Sequence, residues 1–139
     1  MTRRVYTIGY AGRDPYELAD LAVSLDAVIF DIRYSPLSRN SRWNLNTLKA
    51  ICGYRYQHIP ALGNRNYKSG PIALVDYDAG RRQILASSNP VILLCACKNP
   101  ATCHRTLIAQ RLREDGFSVE EWQGPLKGPV QMDLWNSTP

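Results

Sequence analysis

The chain reads as one α/β domain with a mostly parallel five-stranded sheet flanked by helices, three layers in the Rossmann or flavodoxin-like manner. Three observations predict this. Strand-type and helix-type patterns alternate as β-α four times and close on a final strand, the order expected of parallel sheets with right-handed crossovers. Two of the strand runs, Ala27 to Phe30 and Val91 to Leu94, are apolar at every position, so both of their faces need covering by helices. The proposed helices start and stop on cap residues of the right kind.

In chain order, Arg4 to Ile8 is the first strand, stopped at Gly9. Asp14-Pro15-Tyr16-Glu17 opens the first helix, with Asp14 as N-cap, Pro15 at the first helical position and Glu17 placed for a capping box. Leu18, Leu21, Ala22 and Leu25 keep the spacing of one helical face. The second strand ends in Asp31. The loop from Arg33 to Trp43 carries three arginines and two aromatics, a length that in compact domains is often functional.

Asn44 or Asn46 caps a second helix, with Leu45, Leu48, Ile51 and Cys52 inward and Gly53 as its stop. Tyr56 to Ile59 is a weaker third strand, followed by a polar loop from Ala61 to Pro71. A third helix around Asp76 to Ser87 has poor periodicity. Val91 to Leu94 is the fourth strand. Thr102 or Cys103 starts a fourth helix that ends at Gly116, and Phe117 to Trp122 is the fifth strand. The domain is therefore expected over residues 1–123 and an extended C-terminal tail over 124–139.

The 139 residues suffice for one domain with a real core, and 45% of them are hydrophobic. Met-Thr-Arg-Arg runs straight into a strand pattern without the apolar stretch of a signal peptide, and Val91 to Cys97 is too short to span a bilayer. A cytoplasmic protein with no membrane partner is expected, its four cysteines thiols or ligands rather than structural disulfides. The net charge of +5, from 17 basic and 12 acidic side chains, permits an anionic partner without requiring one. The oligomeric state is left open.

Ligands of open parallel sheets bind beyond the carboxyl ends of the strands. Those ends are Gly9 to Arg13, Asp31 to Trp43, Pro60 to Lys68 and Cys95 to His104, and they hold most of the unusual polar residues. Cys103 and His104 fall at the start of a helix, where amides and dipole favour negative charge. A phosphate could bind there beside Arg105 or Arg33, or Cys103 could serve as a nucleophile. Cys103 as a small buried hydrophobe and His104 as a simple cap is the bland alternative.

Asp31, at a strand end, could act as a general base or pair with Arg33. Catalytic candidates are thus Asp31, Cys103 and His104. Candidates for substrate or anion binding are Tyr10, Arg33, Ser38, Arg39, His58, Cys95 and Arg105, although Cys95 is more readily a core thiol and His58 a hydrogen-bonded structural residue. Arg39 and Arg42 could clamp phosphates, and Trp43, Tyr34 and Tyr10 could stack on a base. Cys52 is expected in the core and Cys97 outside its strand.

Cys95, Cys97, Cys103 and His104 also form a potential zinc set, but no C-x2-C knuckle is present and adjacent Cys103 and His104 would point apart. No metal and no cofactor is therefore expected. A dithiol switch lacks thioredoxin-like spacing.

Thr7-Ile8-Gly9-Tyr10, Asp31-Ile32-Arg33-x-x-Pro36-x-Ser38-Arg39, His58-Ile59-Pro60-x-Leu62-Gly63 and Leu93-Leu94-Cys95-Ala96, followed by Cys103-His104-Arg105, occur in this order and span about residues 4 to 123. Together they resemble the DUF488 family, small α/β domains of unknown biochemical activity. The resemblance implies that Asp31, Arg33, Ser38, Arg39, His58, Cys95, Cys103, His104 and Arg105 are the characteristic polar positions. Cys97 departs from the pattern, standing where relatives usually carry a non-cysteine, often acidic, residue. The segment between Gly63 and Val91 is shorter than the pattern.

In the tail, Gln131-Met132-Asp133-Leu134-Trp135 resembles the pentapeptide by which bacterial DNA-processing proteins bind the replication sliding clamp. Gln131 would bond at the pocket rim, and Leu134 and Trp135 would fill an apolar pocket. The alternative is a segment docked on the protein itself. Three functions follow as expectations. One is a hydrolase or transferase for a phosphate-bearing substrate, a nucleotide or nucleic-acid component, linked to replication or repair through the tail. The others are a non-catalytic nucleic-acid-associated module and a zinc- or redox-responsive cysteine protein.

Overall fold

A computed structural model describes residues 4–97 and 103–123; the expected tail, with Gln131, Leu134 and Trp135, lies outside the described residues. Five strands and four α-helices alternate: β1 (Arg4–Gly9), α1 (Pro15–Leu25), β2 (Val28–Asp31), α2 (Leu45–Cys52), β3 (Tyr56–His58), α3 (Tyr77–Ala86), β4 (Val91–Cys95), α4 (His104–Glu114) and β5 (Ser118–Glu121). Short 3-10 turns at Ser41–Trp43, Gly53–Arg55 and Pro60–Leu62 join them. The alternation expected from the sequence is the one observed.

Local chemistry accounts for the helix ends. Asp14 accepts a 2.9 Å bond from the amide of Tyr16, and Pro15 takes the first turn, where its missing N–H costs nothing. Asp26 ends α1 in the left-handed region at φ 51°, its amide directed to the carbonyls of Ala22 and Val23. Asn44 precedes α2, but its side chain turns outward, and Oδ1 takes the amide of Ser38 at 2.5 Å. It pins the long loop instead of capping the helix. Helix α3 is real despite its weak periodicity. Asp76 caps the amide of Ala79 at 3.1 Å, and Tyr77, Gly80 and Ile84 make its buried stripe. Gly80 is needed there because a Cβ would lie 2.3 Å from Leu62 Cδ2.

The strand order is β3-β2-β4-β1-β5, and all four pairings are parallel. Strand β4 is central, with all five residues buried, as its unbroken apolar run requires. Two core clusters lie on opposite faces of the sheet. Leu18, Leu21 and Leu48 from α1 and α2 pack with Ile8, Ile29 and Leu94 on one face. Ile84, Ile108 and Leu112 from α3 and α4 pack with Val5, Ile32 and Leu93 on the other. Each such side chain, fully buried, contributes roughly 1.5–3 kcal/mol of transfer free energy. Among the described residues, no helix is long and apolar enough to cross a membrane.

This topology selects one place on the sheet edge. β4 leads to α4 on one face, whereas its neighbours β2 and β1 lead to α2 and α1 on the other. The chain therefore parts on both sides of the C-terminal end of β4, the kind of crevice in which ligands of open α/β sheets bind.

Candidate active site

Cys95 ends β4 in register with Gly9 of β1, and the chain then turns through Ala96 and Cys97. Cys103 is the N-cap residue of α4, so the helix brings Cys103, His104 and Arg105 back to the strand end. The two buried sulfurs, Cys95 Sγ and Cys103 Sγ, are 2.9 Å apart, and the Sγ of Cys97 joins them with all three within 4.8 Å of one another. Cys97 differs from the other two in reaching the wall of a cavity of about 460 Å³. Tyr10, Arg33, Tyr34, Asn64, Tyr67 and His104 share that wall.

Arg105 lies behind the thiols, not in the cavity. It is 1% exposed, and its guanidinium is shared out among neighbours. Nη1 donates to Cys95 Sγ at 3.0 Å and to the Cys97 carbonyl at 2.7 Å. Nε and Nη2 donate to Glu121 at 3.0 and 3.1 Å, and Thr7 Oγ1 donates to the same carboxylate at 2.6 Å. This corrects the expectation that Arg105 grips an anion: every edge is committed, and burial closes it to solvent. Its work is to fix the thiol loop. Gly9 makes that approach possible, since a Cβ there would lie 1.8 Å from the Cys97 carbonyl oxygen. Gly9→Ala is expected to cost about 1–3 kcal/mol in denaturant unfolding, because backbone and Arg105 must both move. An unchanged midpoint would contradict this packing.

The Asp31 pair forms the second half of the site. Asp31 is fully buried and receives Arg33 Nε at 2.9 Å and Nη2 at 2.5 Å, a bidentate pair, with the Arg33 amide at 3.1 Å. The hydroxyl of Tyr56 donates to the same carboxylate. Burial, and then the Asp31 charge, hold the Tyr56 phenol well above its ordinary range. Burial is the largest single influence on Arg33 and would lower it, but the bond to Asp31 and the Asp31 charge together outweigh it and keep the guanidinium charged. Asp31 thus does not face the cavity as a free base. It holds Arg33, whose guanidinium packs over Tyr10 at 5.3 Å with Nη1 3.4 Å from the Tyr10 hydroxyl.

Two histidines tie the halves together. His104 Nε2 donates to the Ile32 carbonyl at 2.8 Å, and His58 Nε2 donates to the Arg33 carbonyl at 2.7 Å. Nδ1 of neutral His104 is then an acceptor, 3.8 Å from Cys103 Sγ. His104 lines the cavity, while His58 supports the loop below it.

Other expectations are redrawn by the packing. Trp43 is buried and stacks on Tyr10 with centroids 4.4 Å apart, so it backs the wall and offers no free face to a base. Tyr34 and Tyr67, both exposed, stack at 5.6 Å across the mouth. Arg42 pairs with Asp14 at the start of α1, at 3.1 Å. Arg39 is exposed and outside the cavity lining, and Ser38 Oγ takes the Asn40 amide at 3.2 Å within its own loop. Cys52 is buried on the α1/α2 face, where burial alone raises its thiol to about 11.

The cavity also takes in Ser35, Leu37, Asn64 and Tyr67, which sequence reasoning did not single out. Asn64 is buried and accepts the amides of Asn66 and Ala73, so it shapes the loop from Leu62 to Val75. Cys97, which the sequence places outside its strand and in a potential zinc set but not among the catalytic candidates, belongs with them. The hydrogen-bonding thiols of Cys103 and Cys95, with the Arg105 charge beyond them, hold its thiol well below the ordinary cysteine range. Burial, followed by the same contact with Cys103, pushes Cys95 up. The signal in the sequence was its place two residues past the central strand, just beyond the last paired position. No family model, no curated protein and no solved structure matches the chain.

Proposed function

We propose that the chain is a cysteine-dependent enzyme, a transferase or hydrolase, in which Cys97 Sγ bonds to an electrophilic centre of a small substrate seated in the cavity as that centre's bond to its leaving group breaks, and water or an acceptor then displaces the sulfur. The observation that carries this is that Cys97, alone of the three clustered cysteines, lines the cavity while its Sγ sits against the thiols of Cys95 and Cys103. A thiolate is the reactive form of cysteine, and donors behind the sulfur with an open front favour it. Arg33 would meet an anionic group of the substrate, a phosphate foremost, through the Nη1 edge left outside its bidentate pair. Tyr34 and Tyr67, stacked on each other, would offer an apolar flank to the rest of the substrate. His104, with Nε2 pinned to a carbonyl, has Nδ1 available to move a proton beside the thiols.

Kinship with the DUF488 family and recruitment to replication or repair through the tail remain proposals founded on the sequence motifs. A panel of nucleotides and sugar phosphates tests the substrate class. At least one is expected to protect Cys97 from alkylation and to leave an acid-quenched covalent mass on the peptide carrying Cys97, with none on Cys97→Ser. A panel in which no member slows alkylation would remove the phosphate-bearing substrate.

A further inference from the structure

The three sulfurs at the end of β4 form a donor set as well as a nucleophile. Two of them, on Cys95 and Cys103, are buried, and the third belongs to Cys97, a half-buried residue of the cavity wall, so an ion would enter from the cavity side. Among the described residues, the His, Cys, Asp and Glu donors close enough to share one ion here are these three thiols alone. His104 is the adjacent donor type, but its Nε2 is held on the Ile32 carbonyl.

The surroundings decide which kind of ion fits. Thiolates select soft ions, and zinc in structural sites takes four ligands. Arg105 is balanced by Glu121, so the pair adds no net charge. What it adds is a hydrogen bond from Nη1 to the Cys95 sulfur and another to the Cys97 carbonyl, the kind of outer contact that orients ligands. Three thiolates cancel a trivalent charge completely, and a neutral centre is the least costly to bury beside Cys95 and Cys103. A pyramidal three-coordinate ion also needs no fourth ligand.

We propose that Cys95, Cys97 and Cys103 form a three-sulfur site for a soft, thiophilic trivalent ion, with trivalent arsenic the matching species. Arsenous acid would exchange its three As–O bonds for three As–S bonds and release three waters. The protons come from the thiols, and from solvent for any sulfur already ionised; arsenic stays trivalent. The site does not depend on the catalytic reading, since an ion can bind whether or not Cys97 turns over a substrate.

The test titrates the reduced full chain with arsenite and follows thiols and stoichiometry. One arsenic per chain is expected, with three thiols lost to labelling and Cys52 unaffected as the internal control. Arsenic-edge absorption is expected to show three sulfur neighbours. Cys97→Ser, half-exposed and so the least disturbing of the three substitutions, should leave a weaker two-sulfur site. Glu121→Gln, which loosens Arg105 without touching a ligand, should weaken binding by about 10- to 100-fold. Circular dichroism checks that both variants fold. Three results would overturn the proposal: Cys97 alkylated at its free rate in saturating arsenite, equal affinity in Cys97→Ser, or zinc displacing arsenite from all three thiols. Failure here leaves the alkylation and substrate-protection experiments untouched, so the two readings fail separately.

Discussion

Cys97 is expected to react with iodoacetamide at pH 5 almost as fast as at pH 7. Its thiol is held well below the ordinary cysteine range by the bonded thiols of Cys103 and Cys95 and by Arg105, so the thiolate persists through mildly acidic pH. An ordinary cysteine, with a pKa of about 8.5, loses thiolate about tenfold for each pH unit below it. Over this range the two cases therefore differ by about a hundredfold in relative rate. Peptide mapping assigns the label, and Cys97→Ser should abolish the acid-stable fraction. Arg105→Gln should move the profile towards higher pH, because a guanidinium that favours the charged sulfur is gone. A rate at Cys97 that falls tenfold per unit from pH 8 to pH 6 would remove it as an activated nucleophile.

The largest loss of stability is expected from Asp31→Asn. The substitution keeps the shape but leaves the Arg33 guanidinium, 6% exposed, without a counter-charge. Breaking one side of a buried ion pair costs about 3–5 kcal/mol. For a domain of this size that corresponds to a fall in Tm on the order of 10 °C. Removing the partner as well, in Asp31→Asn with Arg33→Met, should restore part of the loss, since no buried charge is then stranded. A double variant no more stable than the single one would show that the pair matters for the contacts of Arg33 with Tyr10 rather than for its charge balance. Arg33 also lines the cavity, so substrate protection of Cys97 should disappear in the double variant, which lacks the guanidinium.

The alternation of elements was legible in the chain because apolar spacing and caps are local. The unbroken apolar run at Val91 to Leu94 announced a strand covered on both faces, and β4 is the central strand. Asp14, Pro15, Asp76 and Gly53 marked helix ends through bonds and dihedrals within a few residues. The loops at the strand ends were the right place to look, and Tyr10, Arg33, Cys95, Cys103 and His104 do come together there.

What each of those residues does was decided only by neighbours far away in sequence. Arg105 has the type and position of an anion binder, yet Glu121 and Thr7, brought alongside by the pairing of β1 with β5, turn it into a brace. Trp43 has the type of a stacking platform, yet Tyr10 covers it. Asp31 has the type of a base, yet Arg33 and Tyr56 saturate it, and Tyr56 arrives through the pairing of β2 with β3. The cluster of cysteines is visible in the sequence. Which cysteine lines the cavity is not, because the path of a loop depends on the close approach of Gly9 and on the order in which strands meet across the sheet. Residue type and local spacing thus determined the elements and the neighbourhood of the site. Long-range packing, which sets burial and charge pairing, decided which residues line the cavity, Cys97 alone among the clustered cysteines.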